Sequence, residues 1–200
     1  MGVIKSAMAD ALLTSMWIFS MPFLRVFTLQ ISGFLGVQTL PLAIFFITTI
    51  VVSLMMFIFT LIGSALGGAN FNPTASVAFY AAGLKKDMSL LSMAVRFPAQ
   101  AAGGVVAVKA ILGILPRELR KTMKGPSLTT VGCVGTGAKY TGPSLNPANA
   151  FGWAYVNKWH NSWQLYYVYW LGPLTGATLA AWVFRFLLSP PPTSTKEKKT

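Results

Sequence analysis

Two short segments of the chain open alike, one with Asn72-Pro73-Thr74 and the other with Asn146-Pro147-Ala148. Asparagine is a favoured helix N-cap, and proline at the first helical position gives up only an N–H that has no intrahelical partner there. Each motif therefore starts a helix, with Gly83 and Gly152 as candidate ends or weak points. The apolar pieces that follow, Asn72–Ala82 and Asn146–Tyr155, reach only about half way across a bilayer at about 1.5 Å per residue. Two such pieces dipping from opposite faces bring their N-termini together at mid-membrane. Each N-terminus carries roughly half a positive charge and free N–H donors. The Asn72 and Asn146 amides can then donate to a neutral solute in single file, while a cation or relayed proton meets a positive barrier. The chemistry is hydrogen bonding, not bond breaking.

No other constellation competes with it. The chain has four acids, one histidine and one cysteine, too few for acid–base, metal or nucleophilic catalysis. It is therefore expected to be no enzyme and to need no cofactor or metal. Cys133 is the only cysteine, so an intramolecular disulfide is excluded.

The elements that must position the two motifs are membrane helices. Of 200 residues, 54% are hydrophobic and only 10% charged, where a soluble domain carries about 25% charged residues. Between Arg25 and Lys85 there is no Asp, Glu, Lys or Arg. Four spans are predicted, at about Ala7–Phe27, Leu40–Ile62, Leu90–Leu115 and Gln164–Leu188, each long enough to cross about 30 Å. The first is too long for a signal-peptide core and reads as an uncleaved span. The net charge of +12 sits at segment ends and in short loops, with no basic stripe among aromatics. That pattern points to topology and lipid headgroups as partners and away from nucleic acid.

Taken singly, each Asn-Pro is as well explained as a plain helix cap in a loop. Two with matched downstream spacing are not. About 43 residues separate Asn72 from the end of the third span and about 42 separate Asn146 from the end of the last, equal within boundary error. Half-helix, loop and full span thus occur twice, the mark of an internal duplication. The upstream halves differ. Two spans precede the first motif, whereas the stretch from Pro116 to Asn146 is glycine-rich and too short for them. Losing two spans leaves the orientation of the last unchanged. With a cytosolic N-terminus the third span ends on the far side, and Lys196–Lys199 returns to the cytosol. This puts Arg117, Arg120, Lys121 and Lys124 on the lumenal side, against the positive-inside trend.

These residues resemble a known family. The stretches Gly68-Ala69-Asn70-Phe71-Asn72-Pro73-Thr74 and Tyr140-Thr141-Gly142-Pro143-Ser144-Leu145-Asn146-Pro147-Ala148 are similar to the paired motifs of the aquaporins. Thr74, the basic character, Phe79-Tyr80-Ala81-Ala82-Gly83 and Pro98-Ala99-Gln100 look most like the plant small basic intrinsic proteins within them. The resemblance covers nearly all of the chain. It implies an all-α membrane protein with two re-entrant half-helices and about four full spans instead of six. Helix four and most of helix five are absent at roughly Leu128–Thr129, and Thr129–Lys139 resembles the surviving end of helix five. A single domain over 1–189 is expected, with a first repeat at about 1–116 and a shortened second at about 126–189. A disordered basic cytosolic tail, 190–200, follows.

The resemblance also implies roles. The pore motifs are Asn72, Pro73 and Thr74 with Asn146, Pro147 and Ala148. The selectivity filter carries over to Asn149, where the family usually has arginine, to Pro143, and to Val52 within a turn. Losing that arginine implies a wider or less polar constriction. Asp10 in the first span is expected to brace a re-entrant loop, as the acid at that place does in the family. A homo- or hetero-oligomer, a tetramer by resemblance, follows. Lys196 and Lys198, fifth and third from the end, resemble a di-lysine signal for the endoplasmic reticulum and serve equally as a positive-inside anchor.

Other positions have plainer expectations. Arg96 and Lys109 snorkel or face the interior in a structural role. Gly103-Gly104 and Gly172-xxx-Gly176 permit close helix approach. His160, beside Trp159 and Trp163, is an interfacial loop residue. For function, a passive water channel that also passes small neutral solutes competes with a non-conducting shortened form that only assembles with full-length relatives. The resemblance favours the first, and the water channel is the reading taken; the absent spans favour the second, because backbone polar groups left against hydrocarbon cost several kcal/mol each.

Overall fold

The computed structural model describes residues 2–85, 88–116 and 144–188, all of them in helices, turns and loops. Among the described residues six helices follow one another: α1 Val3–Phe34, α2 Pro41–Ala65, α3 Pro73–Ala81, α4 Leu90–Ile114, α5 Pro147–Val156 and α6 Trp163–Leu188. Helices α1, α2, α4 and α6, of 32, 25, 25 and 26 residues, are long and apolar enough to cross a membrane. Helices α3 and α5, of nine and ten residues, are not. The expected spans all appear, and α1 is longer than predicted at both ends. Its continuation past Phe27 carries Thr28, Gln30 and Ser32, polar residues that a hydropathy reading ends on. Thr28 and Ser32 are nevertheless buried, and the turn comes only at Gly36, with φ of +67°.

Helices α1 and α4 form the centre. Leu13, Trp17 and Ile18 of α1 meet Ala107, Val108 and Ile111 of α4, with Phe59 of α2 closing the cluster. The helices approach closely because Gly103 faces the backbone of α1, where a Cβ would collide with the Ala11 carbonyl. Helix α5 packs on a neighbouring face of α4, against the same cluster. A Cβ on Gly104 would strike the Ala148 carbonyl, and one on Gly152 would come within 2.6 Å of the Gly104 carbonyl. Gly152 is therefore a packing residue in the interior of α5, and not the helix end the sequence suggested. Gly83 does follow the end of α3, with φ of +71°.

Helix α6 joins the two half-helices. Its first part packs with α5 through Leu165 and Tyr169, and its later part packs against α3. Each half-helix thus leans on the last full span of the opposite repeat, α5 on α4 and α3 on α6. A wide π-type turn over Tyr167–Leu171 lies between the two parts of α6. Pro173 explains it, since proline has no N–H to return to the carbonyl four residues earlier. The pair Gly172 and Gly176 does not act as expected. Nothing lies within 4 Å of a Cβ placed on Gly176, so among the described residues this glycine permits no helix approach. Most apolar side chains of α2 and α6, such as Phe45, Phe57, Trp182 and Phe186, face outward, as residues bathed in lipid do.

Candidate functional site: two helix tips joined in the membrane interior

Both Asn-Pro motifs cap a helix. Asn72 and Asn146 have extended backbones, and their Oδ1 atoms accept from the N–H of Thr74 at 2.9 Å and of Ala148 at 3.1 Å. Pro73 and Pro147 occupy the first helical positions and are buried. The amide nitrogens then reach across. Asn146 Nδ2 donates to the Phe71 carbonyl at 2.9 Å, and Asn72 Nδ2 donates to the Leu145 carbonyl at 3.3 Å. Each asparagine therefore caps its own helix and holds the residue that precedes the other asparagine. The two helix starts stand tip to tip. One N–H of each amide is left over among the described residues.

The first tip has an elaborate seat. Gly67 and Gly68, with φ of +75° and +85°, turn the chain back from α2, and the N–H groups of Gly68 and Ala69 both donate to the Gly63 carbonyl. Such φ values cost a residue with a Cβ but not glycine. Phe71 then stacks on Trp17 with ring centres 4.4 Å apart and meets Phe59 edge-on at 5.9 Å. Beneath the loop, Asp10 is fully buried. Arg96 donates to both of its carboxylate oxygens, Nε to Oδ2 and Nη2 to Oδ1, each at 2.6 Å. Gln100 Nε2 donates to Oδ2 at 2.8 Å and to the Asn70 carbonyl at 3.0 Å. The Asn70 N–H donates to Asp10 Oδ1 at 2.8 Å. Burying one charge alone is prohibitive, and a bidentate guanidinium with two further donors meets that need.

The second tip is furnished differently. Ser144 Oγ donates to the Asn146 carbonyl at 2.9 Å, and Asn149 Nδ2 donates to Ser144 Oγ at 3.4 Å. Asn149 Oδ1 and Thr74 Oγ1 are buried without a hydrogen-bond partner among the described residues. Beside the tips runs an open groove of about 560 Å³, lined by Thr74, Ser144 and Leu145 and, from α6, by Tyr169, Gly172 and Gly176. Val52 lies half-buried on α2, which packs on α1, while Asn149 is on α5. Pro143, Lys196 and Lys198 lie outside the described residues, as do Arg117, Arg120, Lys121, Lys124 and the stretch Thr129–Lys139.

Comparison with known proteins decides the family. Aquaporin SIP1-1 of Zea mays is 40% identical over 241 aligned positions that cover 99% of this chain and 98% of that protein. The chain belongs to the aquaporins. Aquaporin SIP1-1 of Oryza sativa subsp. japonica is 39% identical over 99% of this chain and 98% of its own length. Probable aquaporin SIP1-2 of Arabidopsis thaliana is 34% identical over 100% and 99%. The Major intrinsic protein family model matches residues 127–184. This aquaporin is thus of the small basic intrinsic type, a multi-pass membrane protein of a family of channels and not an enzyme. It is also a shortened one. With 241 aligned positions against 200 residues, about 40 positions carry a residue only in the Zea mays protein.

Several site residues escaped the sequence reading. Arg96 was expected in a structural role, at the interface or inside, and it lies inside as the counter-ion of Asp10. A signal for the pair existed. Asp10 stands eight residues into α1 and Arg96 seven into α4, two helices that run the same way under the expected topology, so both fall at one depth. Gln100, four residues on from Arg96, shares its helix face. Phe71 carried no signal, since its aromatic partners come from α1 and α2. His160 is in the loop between α5 and α6, its ring 4.8 Å from that of Tyr155, and Lys109 lies over the same tyrosine at 5.6 Å.

Proposed function

We propose that this aquaporin is a passive pathway for water and small neutral solutes across an internal membrane, the endoplasmic reticulum. The observation that carries the reading is the crossed pair of bonds between each asparagine amide and the carbonyl beside the other asparagine. It brings two helix N-termini together and leaves each amide a second N–H for a passing oxygen. The joined positive ends repel cations and relayed protons and leave neutral solutes unopposed. Asn149, short and uncharged where the family usually has arginine, supports a wider constriction that admits glycerol as well as water. Stopped-flow shrinkage and swelling of proteoliposomes holding the purified chain should give water and glycerol rates above those of empty vesicles. Rates equal to empty vesicles sink the proposal.

A second reading has its own support. The groove beside the tips is open among the described residues, and the chain lacks about 40 positions that the Zea mays protein has. A chain that lines a pore on one side only acts as an assembly partner, within a homo- or hetero-oligomer such as a tetramer. Comparing the chain with a version carrying two spans inserted after Leu128 separates the two. Conduction by the insertion form alone favours the assembly role. For the location, Lys196 and Lys198 support retrieval to the endoplasmic reticulum. Serine at both positions should move a fluorescent fusion to the cell surface, and unchanged retention eliminates the signal.

A further inference from the structure

We infer that the buried pair Asp10–Arg96 positions both asparagine tips, and that the second tip takes its place from the first. The pair touches only the first loop directly. Arg96 Nη2 lies 3.4 Å from the Gly68 carbonyl, Gln100 holds the Asn70 carbonyl, and Asp10 holds the Asn70 N–H. From Asn70 the ties run on. Its Oδ1 accepts the Asn72 N–H at 3.3 Å, Asn72 donates to Leu145, and Asn146 donates back to Phe71. A continuous set of hydrogen bonds thus leads from the ion pair to the second asparagine.

The second tip has no comparable support among the described residues. Its hydrogen bonds run within Ser144, Asn146, Ala148 and Asn149 or to the first tip, and none reaches a charged group. Its packing contacts are the glycine seat of α5 on α4, at Gly104 and Gly152, and the contact of Ala150 and Ala154 with Leu165 and Tyr169 of α6. That seat belongs to the helix that also carries Arg96 and Gln100. The hydrogen-bonded route and the seat on α4 therefore both lead back to the loop and the helix that the pair joins, and α6 adds apolar packing with no hydrogen bond to the tip among the described residues. Arg96 and Asp10 act here as positioning residues, and their effect extends beyond the loop they bond. The inference concerns the same tips as the proposed pathway, and its test does not depend on flux.

The test separates positioning from mere stability. Replacing a buried ion pair by neutral residues of similar size often leaves stability unchanged, whereas the ties to the loop are lost. Thr74→Cys and Ser144→Cys, introduced with Cys133→Ser, place thiols on two sides of the same groove. A bifunctional thiol reagent then reports how often the tips meet. Adding Asp10→Asn with Arg96→Met should keep the protein monodisperse in detergent and lower the cross-linked fraction about fivefold, the factor for a tie worth one ordinary hydrogen bond. Arg96→Lys should lower it less, because one ammonium keeps the charge and cannot hold both oxygens and Gly68. If the double variant does not fold, Gln100→Met still removes the tie to the Asn70 carbonyl with all charges paired, and a drop of about fivefold is expected. Unchanged cross-linking in whichever variants fold overturns the inference. A chain that conducts nothing yet shows the drop refutes the proposed pathway and leaves the inference standing.

Discussion

The first re-entrant loop rests on a fully buried carboxylate, a guanidinium and a carboxamide, and its aromatic residue is clasped by two others. The second rests on two glycines, on the apolar start of α6 and on the first. The motifs that begin the loops are nearly the same, with Asn-Pro at each start, the same cap and the same crossed bond. The tips are alike and their supports are not. A motif read from sequence reports what it caps. It does not report what holds it in place.

Three substitutions press on this difference. Arg96→Met should have the largest effect, since it leaves the Asp10 carboxylate buried and unpaired. Breaking one partner of a buried pair costs about 3–5 kcal/mol, enough to abolish a cooperative thermal transition in detergent. An unaltered transition would mean that the first loop does not depend on its ion pair. Gly104→Val comes next, at about 1–3 kcal/mol for forcing a side chain into the Ala148 carbonyl. It should loosen α5 and leave α3 in place, which amide hydrogen exchange of the two half-helices measures directly. Equal loosening of both would remove the distinction. Gly176→Ala should have the smallest effect, within about 0.5 kcal/mol, because nothing among the described residues lies within 4 Å of the added methyl. A larger loss by thermal unfolding would show that this face of α6 is covered in the intact protein.

Much of this arrangement could be read from the residues. The four spans and two half-helices follow from hydropathy and from Asn-Pro, because lipid permits few alternatives to a helix. What stayed hidden was lateral. Gly103-Gly104 signalled a close approach without naming Ala11 or Ala148. The same pattern at Gly172 and Gly176 marked a groove instead. Gly152 looked like a helix end, since glycine breaks isolated helices, and tertiary contact with α4 overrides that preference. Asp10 and Arg96 were both noticed, each by itself. Pairing them needed the direction of α1 and α4 as well as their composition.

The separation of that pair along the chain bears on how the protein is made. Asp10 is synthesised 86 residues before Arg96. When α1 leaves the ribosome and meets the bilayer, it carries an acid with no base to answer it, and such a span enters hydrocarbon reluctantly. It becomes a settled span only when α4 arrives with the missing cation. By then α2 and the first half-helix have already been threaded between them. The nascent chain must therefore keep α1 sheltered by the insertion machinery until α4 has been made.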